Sequence, residues 1–460
     1  MVAGEIPTKV QVIVIGGGPG GYAAAARAAA LGKDVVLIEQ GALGGVCLNV
    51  GCIPSKALIT VGHDLQRAKR RFGASANALA LDWPGVQAWK DSVVAQLVGG
   101  VRQTLSKVRT VQGTGRLLDG NRIAVETPDH AEHFTFEHCI LATGSRPVVL
   151  ENFPIDGTRI VDSTAALALA QVPQFLAVIG GGYIGMELGM AYATLGSRVT
   201  VVEAADTVLA GFDAELVKPV VARCAELGIT IVTGAAAKAL DGDDLVLADG
   251  TRHRADVVLV AVGRRPNTDD LQLEDAGLRT LADGLLDIDD QCRTANRSVF
   301  AIGDITPGPA LAHKATAQAI VAAEAICGLP SGFDQVVPLV AFTDPELAAV
   351  GLTEAEAKEA GHSVVVGRSR FAHSGRALTL EEPAGLVKVV ADAASGIVLG
   401  VHIAGAGASD LISEAALAVE TAARVEDIAA TIHPHPTLAE SIGEAAQAAA
   451  RARTRRSTTK

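Results

Sequence analysis

A strand–glycine turn–helix–strand–carboxylate pattern occurs twice in this 460-residue chain, and no other feature restricts its fold as tightly. The first copy begins at Val10–Ile15, an apolar run of the kind buried in parallel sheets. Gly16-Gly17-Gly18-Pro19-Gly20-Gly21 follows, an alanine-rich helix is expected from Tyr22 to about Leu31, and Gly32 ends it. Val35–Ile38 then leads to Glu39. Gly16 allows the tight turn, Gly18 lets a pyrophosphate approach, Gly21 lets helix and strand pack, and Glu39 accepts from a ribose hydroxyl. The second copy runs from Leu176–Ile179 through Gly180, Gly182 and Gly185 into a helix expected to reach Ala191, and from Val199–Val202 to Glu203. A glycine-rich turn in a purely structural βαβ unit is the competing reading, and the complete pattern weighs against it. The chain therefore reads as two dinucleotide-binding units. Glu203 favours a free ribose 2′-hydroxyl and repels a 2′-phosphate; Ala204 and Ala205 follow with no arginine, so the second unit suits NAD(H) rather than NADP(H).

Between the two copies lies Gly44-Gly45-Val46-Cys47-Leu48-Asn49-Val50-Gly51-Cys52-Ile53-Pro54-Ser55-Lys56. Residues five apart on a regular helix point roughly 140° from each other, too far round for a disulfide. Asn49 and Gly51 tolerate left-handed backbone, so the chain can fold back and bring the two sulfurs together. Pro54 suits the first turn of a helix, which leaves Cys52 near the positive end of a helix dipole. The local reading is a redox-active Cys47/Cys52 pair. Half of a zinc site and two buried free thiols compete with it; zinc needs about four ligands, and no second Cys/His cluster has suitable spacing.

The rest of the chain supplies further candidates. Residues 57–107 read as helical with a break near Phe72 to Pro84, and residues 108–147 as short strands and turns ending in Ala142-Thr143-Gly144-Ser145. Asp256–Asn267 is a buried strand with a basic exit. Ser298–Ile302 is a strand tipped by Gly303-Asp304, where a flavin ribityl or phosphate could sit. A helix follows from about Ala312 to Cys327, and the texture beyond Val336 is α+β. There, His433-Pro434-His435-Pro436-Thr437 with Glu440 looks like an acid–base unit. Cys139, Cys224, Cys292 and Cys327 stand alone and read as structural, so a reducing cytoplasm fits. A net charge of −12 argues against nucleic-acid binding. Mean hydropathy is +0.32, inflated by alanine, and no membrane span is expected. The start, Met1 to Lys9, lacks a signal-peptide pattern.

Taken together, the motifs resemble the flavin disulfide reductases and specifically the dihydrolipoamide dehydrogenase family, in order from Val12 to about Ala446. The resemblance implies an α/β chain with two Rossmann-like dinucleotide-binding domains, for FAD and NAD, and an α+β C-terminal dimerisation domain. Its expected boundaries are 1–147 for the FAD domain with the redox disulfide, 148–270 for the NAD domain, 271–335 for a central domain completing the FAD site and 336–450 for the interface. A basic tail, 451–460, is expected to fray. The implied FAD contacts are Gly16, Gly18, Gly21, Glu39, Gly45, Lys56, Gly115, Thr143, Gly144, Ser145, Asp304 and the turn Ala310-Leu311-Ala312-His313. The implied NAD contacts are Gly180, Gly182, Tyr183, Gly185, Glu187, Glu203 and Gly263. Lys56 and Glu187 are implied to pair beside the flavin, Cys47 to exchange with substrate, Cys52 to face the flavin, and His435, oriented by Glu440, to deprotonate a substrate thiol. A homodimer is implied, with the lipoyl group expected from another chain, a lipoyl-bearing acyltransferase or a glycine-cleavage carrier.

Three positions depart from the family pattern. Val46 replaces a threonine before the first redox cysteine, Pro434 stands between the two histidines, and Tyr183 replaces an aliphatic residue. A tyrosine at that point resembles the glutathione reductase arrangement, where it lids the nicotinamide pocket. The nearest rival reading is an NADH-dependent reductase of another small disulfide, although Ile53-Pro54-Ser55-Lys56 and Glu203 argue against glutathione reductase proper. A mercuric reductase is disfavoured because no cysteine follows Cys327.

Overall fold

A computed structural model describes residues 7–70 and 80–458. Strand Thr8–Ile15 sits at the centre of the first sheet, between Val35–Glu39 and Ala131–Leu141, both parallel to it. Its apolar residues Val12, Ile13 and Val14 are fully buried on both faces, which is why the run is nearly continuous rather than alternating. Arg109–Gln112 extends one edge. On the other side Ala131–Leu141 carries an antiparallel meander of Arg122–Glu126 and Thr114–Leu117. Strand Val299–Ala301 also pairs in parallel with Ala131–Leu141. The segment 271–335 thus adds a strand to the first sheet instead of forming a layer of its own. Its helix Ala312–Ile326 lies along helix Pro19–Ala30, joined by Arg27–Glu324.

A second, all-parallel sheet has the order Thr230–Val232, Arg198–Val202, Phe175–Ile179, Val257–Val260, Ile160–Val161. The chain crosses between the two units at Ser145–Pro147 and returns at Arg264–Pro266, and these segments pair antiparallel. Helix Tyr183–Leu195 runs one turn past its expected end and stops at Gly196, φ +116°. Nearly every residue from Gly185 onward is buried, because helix Cys52–Arg70 presses on its outer side. A Cβ on Gly62 would lie 2.1 Å from Thr194 Oγ1. By length and composition Gly45–Lys69 could cross a bilayer. It is instead interrupted at Gly51 and packed on this helix.

The third unit is a five-stranded antiparallel sheet in the order Leu339–Ala341, Leu347–Gly351, Val398–Ala404, Leu386–Asp392, Val364–Arg370. Helices Ala408–Glu420 and Glu440–Thr458 cover it. A buried charge cluster joins it to the second unit: Lys388, 4% exposed, reaches Asp213 at 2.7 Å, Glu354 at 3.2 Å and Glu215 at 3.5 Å. Asp213 also caps helix Ala214–Glu226. The basic tail corrects one expectation. Residues 451–458 do not fray but complete helix Glu440–Thr458. Arg453 holds Glu426 at 2.6 Å and the Ala393 and Ala394 carbonyls, and Arg456 holds the Val364 carbonyl. Cations at a helix C-terminus also complement its dipole. The break expected near Phe72 lies mostly outside the described residues, between helices Cys52–Arg70 and Trp83–Thr104.

Candidate functional site

The first fingerprint is built by close approach. Gly16 has φ +103°, and a Cβ there would lie 2.2 Å from the Ala142 carbonyl oxygen; one on Gly21 would lie 1.8 Å from the Gly16 oxygen. Only glycine fits either place. Gly18 caps helix Pro19–Ala30 with no side chain on the cap, so no side chain satisfies the N–H groups of the first turn. Glu39 closes the turn by accepting from Gly17 N–H at 2.6 Å and Gly41 N–H at 2.7 Å. The second fingerprint repeats this construction. A Cβ on Gly180, φ +107°, would sit 2.4 Å from the Ala261 oxygen, and one on Gly185 2.0 Å from the Gly180 oxygen. Gly182 is an uncapped N-terminus. Glu203 accepts from Gly181 N–H at 2.6 Å and Ala205 N–H at 2.8 Å.

A cleft of about 850 Å³ opens at the first fingerprint. Among its lining residues are Gly16, Gly18, Glu39, Gly45, Cys47, Cys52, Lys56 and Gly115. Thr143, Gly144, Ser145, Tyr183, Glu187, Asp304, Ala310 and Ala312 also line it. Gly21 lies beneath the turn, and Leu311 and His313 lie off the cleft. His313 instead holds the Pro338 carbonyl at 2.8 Å. Gly180, Gly182, Gly185, Glu203 and Gly263 stand apart at the second sheet, while Tyr183 and Glu187, on the helix that Gly182 caps, reach the first cleft. One helix therefore serves both units.

The two cysteines meet, but not through left-handed backbone at Asn49 or Gly51 as the sequence suggests: Asn49 is helical, Gly51 has φ −141°, and the left-handed turns are at Gly44 and Gly45, ahead of Cys47. Gly44, φ +99°, starts a short helix Gly45–Val50 that carries Cys47; Gly51 breaks it, and Cys52 is the first residue of helix Cys52–Arg70. Asn49 pins the turn by donating to the Leu43 and Gly45 carbonyls. Both thiols are free and in contact. The Cys47 thiol donates to Cys52 sulfur, and with the Lys56 ammonium nearby it pulls Cys52 down to about 7 against the opposing effect of burial and Glu187. Cys47, as the donor and itself half-buried, is pushed well above the usual thiol range. Lys56 reaches Glu187 at 2.7 Å, and Glu187 is 4% exposed. Burial pushes the Tyr183 hydroxyl up to about 12.

The cleft's other wall is a polar lattice that the motif reading only partly foresaw. Asp304 Oδ2 accepts from Ser145 Oγ at 2.5 Å, and Arg264 donates to the same Oγ at 2.7 Å and to the Ser145 carbonyl at 2.6 Å. Thr143 and Asn267 exchange side chain-to-carbonyl bonds at 2.7 and 2.9 Å. Arg264 and Asn267 belong to the basic strand exit, which was the available signal. Lys314 gave none. It is 1% exposed beneath the Asp304 turn, with its ammonium on the Thr306 and Pro307 carbonyls. Burial lowers its pKa.

His435 and Glu440 are brought together, but not to the cysteines. His435 Nδ1 lies 2.9 Å from Glu440 Oε1, and Thr437 N–H donates to Oε2 at 2.8 Å. That N–H first, and His435 second, hold the Glu440 carboxyl below its usual range. The His435 side chain is 81% exposed and does not line the cleft. Beside it, His433 is buried on Glu414 at 2.9 Å. Ile432, 94% exposed, and Leu417, 64%, lie on the same unit. The residues present fit a dinucleotide at each fingerprint. Two glycine cradles that a Cβ would fill and two uncapped helix starts meet an extended phosphate-bearing ligand, and the first opens onto a cleft large enough for one.

Comparison with known proteins agrees with this geometry. Residues 10–319 match the pyridine nucleotide-disulphide oxidoreductase family, and residues 337–446 its dimerisation domain. The dihydrolipoyl dehydrogenase of Geobacillus stearothermophilus is 48% identical over 98% of both chains. Dihydrolipoyl dehydrogenase 2 of Haloarcula marismortui is 47% identical, also over 98% of each. Among solved structures, LpdA from Mycobacterium tuberculosis aligns with a TM-score of 0.88 at 29% identity, covering 95% of this chain and 99% of that one. The HOCl-induced flavoprotein disulfide reductase RclA from Escherichia coli, as its Cu(II) complex, aligns with a TM-score of 0.87 at 26% identity, covering 96% and 99%. With two nucleotide cradles, a dithiol at a helix start and full-length relatives of this kind, the chain belongs to the dihydrolipoyl dehydrogenase family of pyridine nucleotide-disulphide oxidoreductases.

Proposed function

We propose that this chain oxidises protein-bound dihydrolipoyl groups to lipoyl groups with NAD⁺ as acceptor, as the flavoprotein component of 2-oxo acid dehydrogenase complexes. The observation that carries the reading is the Cys47/Cys52 pair at a helix start, backed by Lys56–Glu187, on the wall of the cleft that holds the first cradle. FAD at the first fingerprint and NAD at the second supply the two-electron relay that regenerates the cysteine disulfide. In this reading the oxidised cysteine pair meets a substrate dithiol. His435 Nδ1–H donates to Glu440, which leaves Nε2 free to take a proton from the first thiol. That thiolate attacks Cys47 Sγ, a mixed disulfide forms, and Cys52 leaves as a thiolate stabilised by the helix start and Lys56. The second substrate thiol then attacks the substrate sulfur of the mixed disulfide. The lipoyl disulfide is released, and the departing Cys47 sulfur takes up a proton.

His435 and Cys47 lie on different units, and the chain carries a dimerisation domain, so each site in this reading is shared between two subunits. The lipoyl donor would be an acyltransferase or a glycine-cleavage carrier, in a cytoplasmic setting. Tyr183 on the cleft wall favours a second reading, NADH-driven reduction of another small disulfide. One assay separates them: NADH formation by the purified protein with dihydrolipoamide and NAD⁺, beside NADP⁺ and a Cys47→Ser control. Fast NAD⁺-specific turnover abolished by C47S supports the proposal. Negligible turnover, with NADH-driven reduction of a different disulfide, moves the substrate to the second reading.

A further inference from the structure

We propose that Phe342 is a positioning residue of the redox centre, holding the Lys56–Glu187 pair from the interface unit through its ring and its backbone N–H. The inference rests on the reading above, in which Cys52 is the thiolate beside bound FAD. Both oxygens of the buried Glu187 carboxylate are committed. One takes Lys56 Nζ at 2.7 Å, and the other takes the Phe342 N–H at 2.8 Å. The Lys56 ammonium also lies 4.3 Å from the centroid of the Phe342 ring, well inside cation–π range. The ion pair is therefore held from three units: by the redox helix, the helix of the second fingerprint and the residue that follows the edge strand of the interface sheet.

The Phe342 segment is itself fixed. Phe342 follows strand Leu339–Ala341, whose partner is Leu347–Gly351. Thr343, 1% exposed, donates its hydroxyl to the Pro345 carbonyl at 2.7 Å. Asp344 pairs with Arg223 of the second unit at 2.7 Å. A ring anchored on both sides can set where the ammonium sits. Lys56 is four residues beyond Cys52 on one helix, so the two side chains share a face. The charged or titratable groups acting on Cys52 are Cys47 from the preceding short helix, Lys56 on its own helix, and Glu187 and Tyr183 from the facing helix. Lys56 is the cation among them, and Phe342 is the group that holds it without adding charge. Through Phe342 the interface unit thereby holds the Lys56–Glu187 pair that acts on Cys52.

The test reads the Cys52 thiolate rather than turnover. In the two-electron-reduced holoenzyme a thiolate against oxidised flavin gives a long-wavelength charge-transfer absorbance, and its loss on acidification gives a titration midpoint. Phenylalanine fluorinated on one, two or three ring positions is placed at residue 342, which keeps the N–H and nearly the size of the ring while weakening its negative face. The midpoint is expected to rise stepwise, by about half a pH unit or more at three fluorines, with Phe342→Leu rising at least as far and Phe342→Tyr returning to wild type. A midpoint that stays level or falls along the series overturns the proposal, whether or not F342L folds. A wild-type band that is absent, or that persists in Cys52→Ser, overturns the underlying assignment of Cys52 instead.

Discussion

Alanine substitutions at Gly182 and Gly185 separate the two demands that the second fingerprint makes on its glycines. A Cβ on Gly185 would lie 2.0 Å from the Gly180 carbonyl oxygen and 3.1 Å from Val178 Cγ1, against a limit near 3.0 Å for real Cβ contacts. The helix start must therefore retreat by about 1 Å, and the atom in the way is backbone, which cannot swing aside. Overpacking of this kind costs about 1–3 kcal/mol. A displacement of about 1 Å in a group that positions a ligand is worth roughly 10²-fold. Gly182 differs: nothing lies within 4 Å of its Cβ position, and its φ of −70° suits alanine. G182A should keep the wild-type melting temperature and raise the KM for NAD⁺, because the new methyl occupies the space where a pyrophosphate must approach. G185A should lower the melting temperature and raise the KM for NAD⁺ by roughly 10²-fold. Bound flavin should be unchanged in G182A. The assay is steady-state kinetics at saturating dihydrolipoamide, with flavin absorbance and thermal melting on the same samples. A wild-type KM for NAD⁺ in G185A, or a greater stability loss in G182A than in G185A, refutes the reasoning.

Other sites yield further expectations. If Glu203 is the carboxylate that turns away a 2′-phosphate, Glu203→Ala should raise the ratio of kcat/KM for NADP⁺ to that for NAD⁺ at least about tenfold; an unchanged ratio counts against the assignment. Lys388→Met leaves Asp213 and Glu354 without their shared buried cation and should cost about 3–5 kcal/mol, read as a lower urea midpoint at fixed protein concentration. Glu354 is held at about 2 by Lys358 first and then Lys388, against an ordinary 4.5. A depressed carboxyl stabilises the fold above its unfolded pKa and loses that contribution as pH falls. The melting temperature of Glu354→Gln should therefore be below wild type at neutral pH, and the gap should close between about pH 4.5 and 2. A gap that persists at low pH contradicts the assignment.

The features legible in the sequence are those set by local backbone demands. Gly16, Gly21, Gly180 and Gly185 are fixed by carbonyl oxygens a few residues away or at the neighbouring strand end, so spacing alone exposes them. The cysteine loop is likewise short-range. Contacts between distant segments left no periodic trace. Strand Val299–Ala301 joins a sheet whose other strands end by Leu141, and nothing in its three residues names that partner. Lys388 reads as one residue of an apolar strand until Asp213 and Glu354 are packed around it. Phe342 lies in a stretch with no motif at all. The tail reads as a solvated end in sequence because Arg453 and Arg456 have no nearby partners there; their partners are carbonyls and a carboxylate some 27 to 92 residues away.

Hybrid dimers test the central claim, that cysteines of one subunit work with His435 of the other. Cys47→Ser and His435→Ala chains, each inactive alone, are co-expressed with different tags, and the doubly tagged dimer is isolated. One of its two sites then combines an intact Cys47/Cys52 pair with an intact His435. The account predicts NADH formation from dihydrolipoamide at about half the wild-type rate per dimer. If Cys47 and His435 instead worked within one chain, every site in the hybrid would lack one of them, and a dead hybrid with full flavin content would contradict the account.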